Sequence, residues 1–299
     1  MFPIDSLSLF KDLNELKRIK SNSSNGLSFA ERAFGIGVQC CDCSDSFLSI
    51  NDLVKKFIAG SRLGFLGHET LSSTGLSDQE IVKIYEESLH SYEYELRLLK
   101  VDFDLHKTNW TMSENIRESP LRILIKDHIS QPRAGVTCPD KPRVVLQPTE
   151  SHGDHCIMVA VYAYLLSPFY DSDPIDAFTI GLFHHLHNCI LPDSGFAGEC
   201  ILGNCLNRVI DSARATTASV LSVSTKTKLD RLFKEIEQTS SPVAKAFHAA
   251  DCIDRVLQLQ YYEKAHDFSV SDAIEKMNLI HDGPAKTFQM QTLQSCGLL

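Results

Sequence analysis

Histidine and aspartate residues that can bind a metal ion recur on three separate apolar segments of this chain. The first segment contains His152 and His155, the second contains the cluster HHLH at residues 184–187, and the third contains Asp251. A transition-metal ion needs several nitrogen or oxygen donors from different elements, because one helix cannot surround an ion. Burial of histidine or aspartate is unfavourable unless the side chain is paired or metal-bound. The pattern therefore predicts a metal centre at which three elements converge.

Apolar residues in these segments recur at helical spacing, and no convincing alternating pattern predicts a strand. A capping box formed by Ser77 and Glu80 marks the start of the clearest helix. Helices are predicted over 4–18, 76–100, 119–129, 151–166, 173–188, 226–238 and 241–265. The fold class is therefore predicted to be all-α.

The stretch QPRAGVTCPDKPRVVLQP (131–148) contains four prolines and one glycine, which is typical of an irregular connector. We therefore expect an N-terminal helical region of unknown role over 1–135. A helical metal-binding domain is expected over 141–275, followed by a C-terminal tail over 276–299. The amphipathic helices of the N-terminal region are expected to pack into a core. They would also suit a cap over the site or the interface of a homodimer.

Composition narrows the classes of partner. The net charge of −9 argues against a protein that coats a nucleic acid polymer. The longest apolar run, CIMVAVYAYLL (156–166), is too short to span a membrane. The N-terminal sequence has no signal-peptide pattern, and many of the ten cysteines have apolar or helical neighbours. A cytoplasmic protein with reduced thiols is the resulting prediction.

Three ordered motifs resemble those of the HD-domain superfamily, whose metal site follows the pattern H…HD…D on a helical bundle. The sequence is most similar to the HD-domain 5′-deoxynucleotidases, which are nucleoside 5′-monophosphate phosphatases. ESHGDH (150–155) is similar to ESVADH, HHLHNCILPD (184–193) to HDMAECIVGD, and DCIDRVLQLQYYE (251–263) to DKFDMILQAFEYE. The resemblance covers roughly residues 141–268, and it implies an HD-domain helical bundle.

The resemblance also implies the metal ligands. His155, His184 and Asp251 occupy the family's ligand positions, whereas His185 stands where the HD pair has its aspartate. His185 is therefore a fourth candidate ligand, because imidazole can also bind a metal. A set of three histidines and one aspartate favours a divalent transition metal, among Zn, Fe, Co, Mn and Ni, over magnesium.

Two further positions matter for catalysis. Asn188 stands where the phosphatases have a glutamate that takes part in acid–base chemistry, and asparagine cannot exchange protons. Asp193 keeps the family's second catalytic acid position. Arg143, His187 and Lys245 are the candidate substrate-binding residues, since phosphate sites use cationic side chains.

Three functions stay open at this point. The first is metal-dependent hydrolysis of a small phosphate monoester such as a nucleotide. The second is a degenerate HD protein that binds metal or ligand without hydrolysis, which would explain both lost carboxylates. The third is an HD-fold oxygenase. A di-iron site of that type needs about two further histidines, and none occurs between His187 and His248.

Overall fold

The computed structural model describes residues 3–21, 26–42, 48–103, 108, 110, 121–141, 143–144, 146–263 and 269–299. Within these ranges the fold is all-α, as predicted, and the only β structure is a set of isolated bridges. No helix in the described part of the chain combines the length and apolar character needed to cross a membrane.

The fold consists of helices joined by short irregular or 3₁₀ segments. Those before the first motif are α1 (Leu7–Asn14), α2 (Phe29–Asp42), α3 (Ile50–Leu63), α4 (His68–Ser73), α5 (Asp78–His90), α6 (Glu93–Leu98) and α7 (Leu121–Ser130). Those from the first motif onward are α8 (His152–Leu166), α9 (Pro174–Phe183), α10 (Gly195–Leu202), α11 (Leu206–Ala218), α12 (Val223–Ile236), α13 (Pro242–Glu263), α14 (Val270–Glu275) and α15 (Lys286–Ser295).

Helix α8 is the centre of the fold, and every one of its residues is buried. Its first turn is fixed by a capping box in which Ser151 Oγ accepts from the Asp154 N–H. An apolar helix without a polar face must be covered on all sides. Accordingly α8 packs against α2, α7, α9 and α13. The helices that carry the second and third motifs are therefore in direct contact with the helix that carries the first.

Helices α8 and α9 approach each other closely at Gly181. A Cβ atom at this position would lie 2.6 Å from the Cα of Ala160. Helix α9 then ends at Phe183, earlier than the predicted limit of 188, and His184 is its C-cap. Beyond it the chain forms a 3₁₀ turn at Leu186–Cys189. The second motif thus lies on a helix end, from which its side chains face the other two motifs.

Helix α13 carries the third motif and contacts both α8 and α9. The segment 76–100, predicted as one helix, forms α5 and α6. Helix α5 begins at the predicted capping box of Ser77 and Glu80. The helix breaks before Tyr92, whose buried hydroxyl donates to the Asp12 carboxylate at 2.9 Å. This tertiary contact outweighs the local helical preference.

The N- and C-terminal regions pack on the same core as the motif helices. Helix α1 contacts α8 and α13, and α2 lies along α8. Helix α15, within the segment expected as a tail, packs against α13. One continuous cluster of buried apolar residues joins these elements. Elements from both the N- and the C-terminal region therefore pack on the core that contains the helices of the three motifs.

Candidate metal centre

Two histidine rings face each other at the junction of α8 and α9. The Nε2 atoms of His155 and His184 are 3.1 Å apart. His184 Nδ1 lies 2.7 Å from the Gly181 carbonyl oxygen, which can only accept a hydrogen bond. His155 Nδ1 lies 2.7 Å from Asp254 Oδ2, a carboxylate oxygen. Both Nδ1 atoms therefore donate, and in the neutral rings both Nε2 atoms keep a lone pair directed at the same point.

Asp251 supplies an oxygen donor at this point. Its Oδ1 atom lies 3.4 Å from His155 Nε2 and 3.9 Å from His184 Nε2. Burial alone would raise the pKa of Asp251. The neighbouring His155 ring and the charge of Arg255, 3.6 Å away, instead hold that pKa well below its usual range. Asp251 is thus a carboxylate at any physiological pH.

The three donors fit a transition-metal ion. Zn–N and Zn–O distances of about 2.0–2.2 Å allow two ligands of one ion to be up to about 4 Å apart, and the three measured separations fall within that limit. Burial, and then the neighbouring His155, lowers the pKa of His184 well below 6.5. Its ring is therefore neutral, as a metal ligand must be. Two facing lone pairs beside a carboxylate repel one another unless a cation lies among them.

His185 has a donor within 4.8 Å of those of His155 and His184, but its ring has other partners. Its Nε2 atom accepts from Arg133 Nη1 at 2.8 Å. Its Nδ1 atom donates to Asn188 Oδ1 at 2.9 Å, because the Asn188 amide nitrogen is already donating to the Leu191 carbonyl. A guanidinium therefore occupies the nitrogen through which His185 would bind a metal.

Glu150, His155 and Asp254 form a second group with metal-ligand spacing. The cation there is part of the protein, since Lys17 Nζ lies 2.5 Å from Glu150 Oε1 and 2.7 Å from Asp254 Oδ1. Asp254 therefore supports His155 from the Nδ1 side of the ring. Asp251 lies beside the two Nε2 atoms that face each other.

His184 and Asp251 line a cavity of about 310 Å³, and the fully buried His155 lies directly beside them. Its charged lining consists of Arg133, Glu150, Asp193, Glu199, Asp251 and Arg255. Its apolar lining includes Phe196, Leu259, Met277 and Leu279. Phe196 stacks on His281 with ring centroids 4.1 Å apart and planes at 15°. The cavity lining thus combines charged groups with flat and aliphatic surfaces.

Two carboxyl groups of the cavity lining lie on the segment that follows the second motif. Two backbone N–H groups hold the Asp193 side chain: Ala134 N donates to Oδ2 and Gly195 N donates to Oδ1, each at 2.9 Å. Glu199 projects from α10, and burial followed by the charge of Asp193 raises its pKa above the usual value. The pair combines an oriented carboxylate with a carboxyl group that binds its proton more tightly.

The three predicted substrate-binding residues lie outside the cavity lining. The Arg143 guanidinium donates to the carbonyl oxygens of Ala134 and Ser194, so it braces two loops. His187 lies in the 3₁₀ turn, where burial and then the charge of Arg214 lower its pKa to about 4. Lys245 lies in the first turn of α13 and is half-buried.

The cationic residues that do line the cavity are Arg133 and Arg255. Arg133 lies in the proline-rich connector, which has no periodic pattern that would have marked it. Arg255 lies four residues after Asp251 on α13, a spacing that places both on one helix face. That spacing was readable from the sequence, whereas the position of Arg133 required the folded chain.

Residues 130–286, more than half of the 299-residue chain, match the family described as HD domain. No curated protein and no solved structure matches the chain. The matched span contains the three motifs, both cavity arginines and His281. The chain therefore belongs to the HD-domain family.

Proposed function

We propose that the protein is a metal-dependent phosphohydrolase that acts on a small phosphate monoester such as a nucleotide, as the 5′-deoxynucleotidases do. Its membership in the HD-domain family, a superfamily of metal-dependent phosphohydrolases, supports this function. The observation that carries the proposal is the convergence of His155, His184 and Asp251 at one end of a cavity. Two arginines line the same cavity.

His155, His184 and Asp251 would hold one divalent transition-metal ion, such as Zn, Fe, Co, Mn or Ni. When bound, such an ion lowers the pKa of a coordinated water and neutralises charge on the phosphate. His185 would be a fourth donor only if its Nε2 atom exchanged the Arg133 guanidinium for the metal. In the arrangement seen here, three protein donors would hold the ion, as in catalytic sites that keep a position open.

Arg133 and Arg255 are the proposed phosphate-binding residues. Arginine presents several N–H donors in a fork that matches two phosphate oxygens. Arg133 contacts His185 through Nη1 at 2.8 Å, and it contacts Glu150 through Nε at 3.7 Å. The charges of Glu150, Asp193 and Asp251 raise the pKa of Arg133 against the effect of burial. The guanidinium therefore stays charged where a phosphate would enter.

Proton transfer is assigned to the carboxyl groups of Asp193 and Glu199. Asn188 cannot take this part, since its amide is engaged with His185 and Leu191. Two backbone donors orient the Asp193 carboxylate, which can accept a proton from an attacking water. Glu199 holds its proton to higher pH and can donate it to the departing alkoxide oxygen. In this proposal α10 supplies the acid that the motif position 188 lacks.

The apolar residues of the cavity lining suit the organic part of the ester. Phe196 and His281 form a flat aromatic pair, and Met277 and Leu279 add aliphatic surface. A planar ring would stack there, and such stacking contributes about 0.5–1.5 kcal/mol to binding beyond the burial of apolar surface. A nucleobase has this shape.

A second function is favoured by one observation. Arg133, His185 and Asn188 form a hydrogen-bonded chain, and two of them, His185 and Asn188, occupy positions where the family has carboxylates. This network is also what a non-catalytic metal- or ligand-binding HD protein would contain.

Phosphate release separates the two functions. The purified protein, loaded in turn with Co²⁺, Mn²⁺ and Zn²⁺, is assayed with a panel of phosphate monoesters that includes nucleotides. Hydrolysis by the wild type supports the proposal. A silent wild type together with an active His185→Asp/Asn188→Glu variant would establish the non-catalytic protein instead.

A further inference from the structure

A buried lysine from the N-terminal region reaches the back of the metal centre. Lys17 lies in the 3₁₀ turn that follows α1, and 3% of its side chain is exposed. Its ammonium lies 2.5 Å from Glu150 Oε1 and 2.7 Å from Asp254 Oδ1. Burial of three charged groups is unfavourable unless they pair with good geometry. The contact is therefore a specific feature of the fold.

Asp254 transmits this contact to a metal ligand. Its Oδ2 atom accepts from His155 Nδ1 at 2.7 Å, and its Oδ1 atom accepts from Lys17 and from Asn14 Nδ2 at 3.2 Å. The carboxylate is fully buried, so these three donors define its orientation. Donation from Nδ1 in turn leaves Nε2 of His155 free to bind a cation.

We propose that Lys17 is a positioning residue for the metal centre and that the 3₁₀ turn Glu15–Lys17 is part of that centre. Oxygens of Glu150 and Asp254 and a nitrogen of His155 lie within 4.8 Å of one another. Without the ammonium the two carboxylates repel each other. Asp254 then turns from His155, and the ring loses the bond that fixes its orientation and tautomer.

The same lysine supports the phosphate end of the cavity. Glu150 Oε2 lies 3.7 Å from Arg133 Nε, so Lys17 acts on Arg133 through Glu150. The next residue, Arg18, fastens the turn to α13: its guanidinium lies 3.6 Å from the centre of the Tyr261 ring and donates to Gln258 Oε1 at 3.0 Å. The turn is thus anchored to the helix that carries Asp251.

The inference rests on the metal site of the proposed function, but not on hydrolysis, so it is tested by metal affinity. Dissociation constants of Zn²⁺ and Co²⁺ are measured by chelator competition on the full-length wild type, Lys17→Met and Lys17→Arg. Lys55→Met is the matched control. Lys55 is another buried lysine of the N-terminal region, and its ammonium donates to Thr108 Oγ1 at 2.8 Å, away from the centre.

Loss of an outer partner of a metal ligand typically weakens metal affinity by ~10–100-fold. We expect this loss in Lys17→Met, together with a changed visible spectrum of bound Co²⁺. Lys17→Arg is expected to recover most of the affinity, because it restores the charge. Lys55→Met should lower the melting temperature without changing either metal property.

Wild-type affinity in a folded Lys17→Met variant would overturn the inference, and so would equal losses in Lys17→Met and Lys55→Met. If Lys17→Met does not fold, Lys17→Arg and Asp254→Asn are compared. The second should show the full loss of affinity and the first should not; two equal losses would overturn the inference. A wild type that binds metal but releases no phosphate contradicts only the proposed function.

Discussion

The two sides of the metal centre are built differently. The rear wall consists of His155, Asp251 and Asp254 on α8 and α13 and of His184 at the end of α9, and these side chains have hydrogen-bonding or charged partners behind them. The front segment, residues 185–199, consists of the 3₁₀ turn that follows α9 and the start of α10. No residue of α10 is buried.

This difference separates two tasks. The rear wall cannot move without disturbing the core, so it suits the fixed geometry that a metal ligand needs. Both departures from the HD pattern, His185 and Asn188, lie on the front segment. Changes there alter the chemistry of the cavity without unpacking α8. We therefore expect rear-wall substitutions to affect metal binding and front substitutions to affect turnover.

The largest effect is expected from the facing histidines. His155→Ala or His184→Ala removes one of three converging donors, so the purified protein should contain no bound metal by elemental analysis and should show no metal-dependent activity. His248→Ala is the control, because His248 lies on α13 and bonds to the Ile236 carbonyl at 2.8 Å. If His155→Ala kept its full metal content, the rear wall would not form part of the metal centre.

His185→Ala sharpens the boundary between the two sides. In the arrangement seen here Arg133 occupies its Nε2 atom, so the variant should keep its metal. Loss of the metal would instead make His185 a fourth ligand and extend the centre into the front segment.

The second largest effect is expected from the two carboxyl groups of the cavity lining, Asp193 and Glu199. Asp193→Asn and Glu199→Gln should each lower kcat, by ~10²–10⁴-fold where proton transfer limits the rate. Metal content should stay unchanged, since neither group is a proposed ligand. Asp211→Asn, on the exposed side of α11, provides the control. Unchanged kcat in Glu199→Gln would mean that α10 does not supply the acid.

A third prediction concerns the scaffold that joins the two sides. In Gly181→Ala the new Cβ meets the backbone of α8 at Ala160, and such overpacking typically lowers stability by about 1–3 kcal/mol. The free energy of unfolding of the metal-free protein is measured by denaturant titration. Gly283→Ala is the control, because its Cβ would meet no atom within 4 Å. Equal stability of the two variants would show that α9 moves freely on α8.

Acid should weaken the support of the front segment. His128 lies 2.6 Å from Cys189 Sγ, and burial, followed by the charge of His187, lowers its pKa from 6.5 to about 3. Because the folded state favours the neutral ring, this stability is present above about pH 6.5 and is lost as pH falls toward 3. The slope contributed by one such group is at most about 1.4 kcal/mol per pH unit.

His128→Phe should flatten the pH dependence of the unfolding free energy between pH 6 and 4. The phenyl ring can keep the stacking contact that His128 makes with Phe34, whose centroid is 5.2 Å away. His90→Phe, at an exposed position, should leave the profile unchanged. Parallel profiles for wild type and His128→Phe would exclude His128 as the source of the acid sensitivity.

The smallest effect on activity is expected from the apolar residues of the cavity lining. Phe196→Ala removes the partner of His281, and an aromatic pair contributes about 0.5–1.5 kcal/mol. KM for an aromatic phosphate monoester should rise by ~2–10-fold, with little change in kcat. An aliphatic ester such as glycerol phosphate is the control substrate. An equal rise for both esters would assign Phe196 to the general shape of the cavity.

Much of the fold was predictable because its signals are local. Helical periodicity predicted the all-α class, and the capping box at Ser77 and Glu80 marked the start of α5. The ordered motifs selected His155, His184 and Asp251, which the structure brings within 4 Å of one another. These signals need no knowledge of distant contacts.

Other features depend on contacts that no local pattern encodes. Helix α9 was predicted to continue to residue 188, but it ends where His184 bonds back to Gly181. Arg133 comes from an irregular connector, and no spacing relates it to His185. Sequence reasoning had placed the substrate cations at Arg143 and Lys245, neither of which lines the cavity.

By itself the sequence determined which residue types could bind a metal and which helices would carry them, because both follow from side-chain chemistry and short-range periodicity. Only the tertiary structure decided how those residues are paired. Lys17 meets Asp254 across 237 positions, and Arg133 meets His185 across 52. Such pairings arise when helices pack and water leaves, since buried charges must then find partners wherever the fold places them.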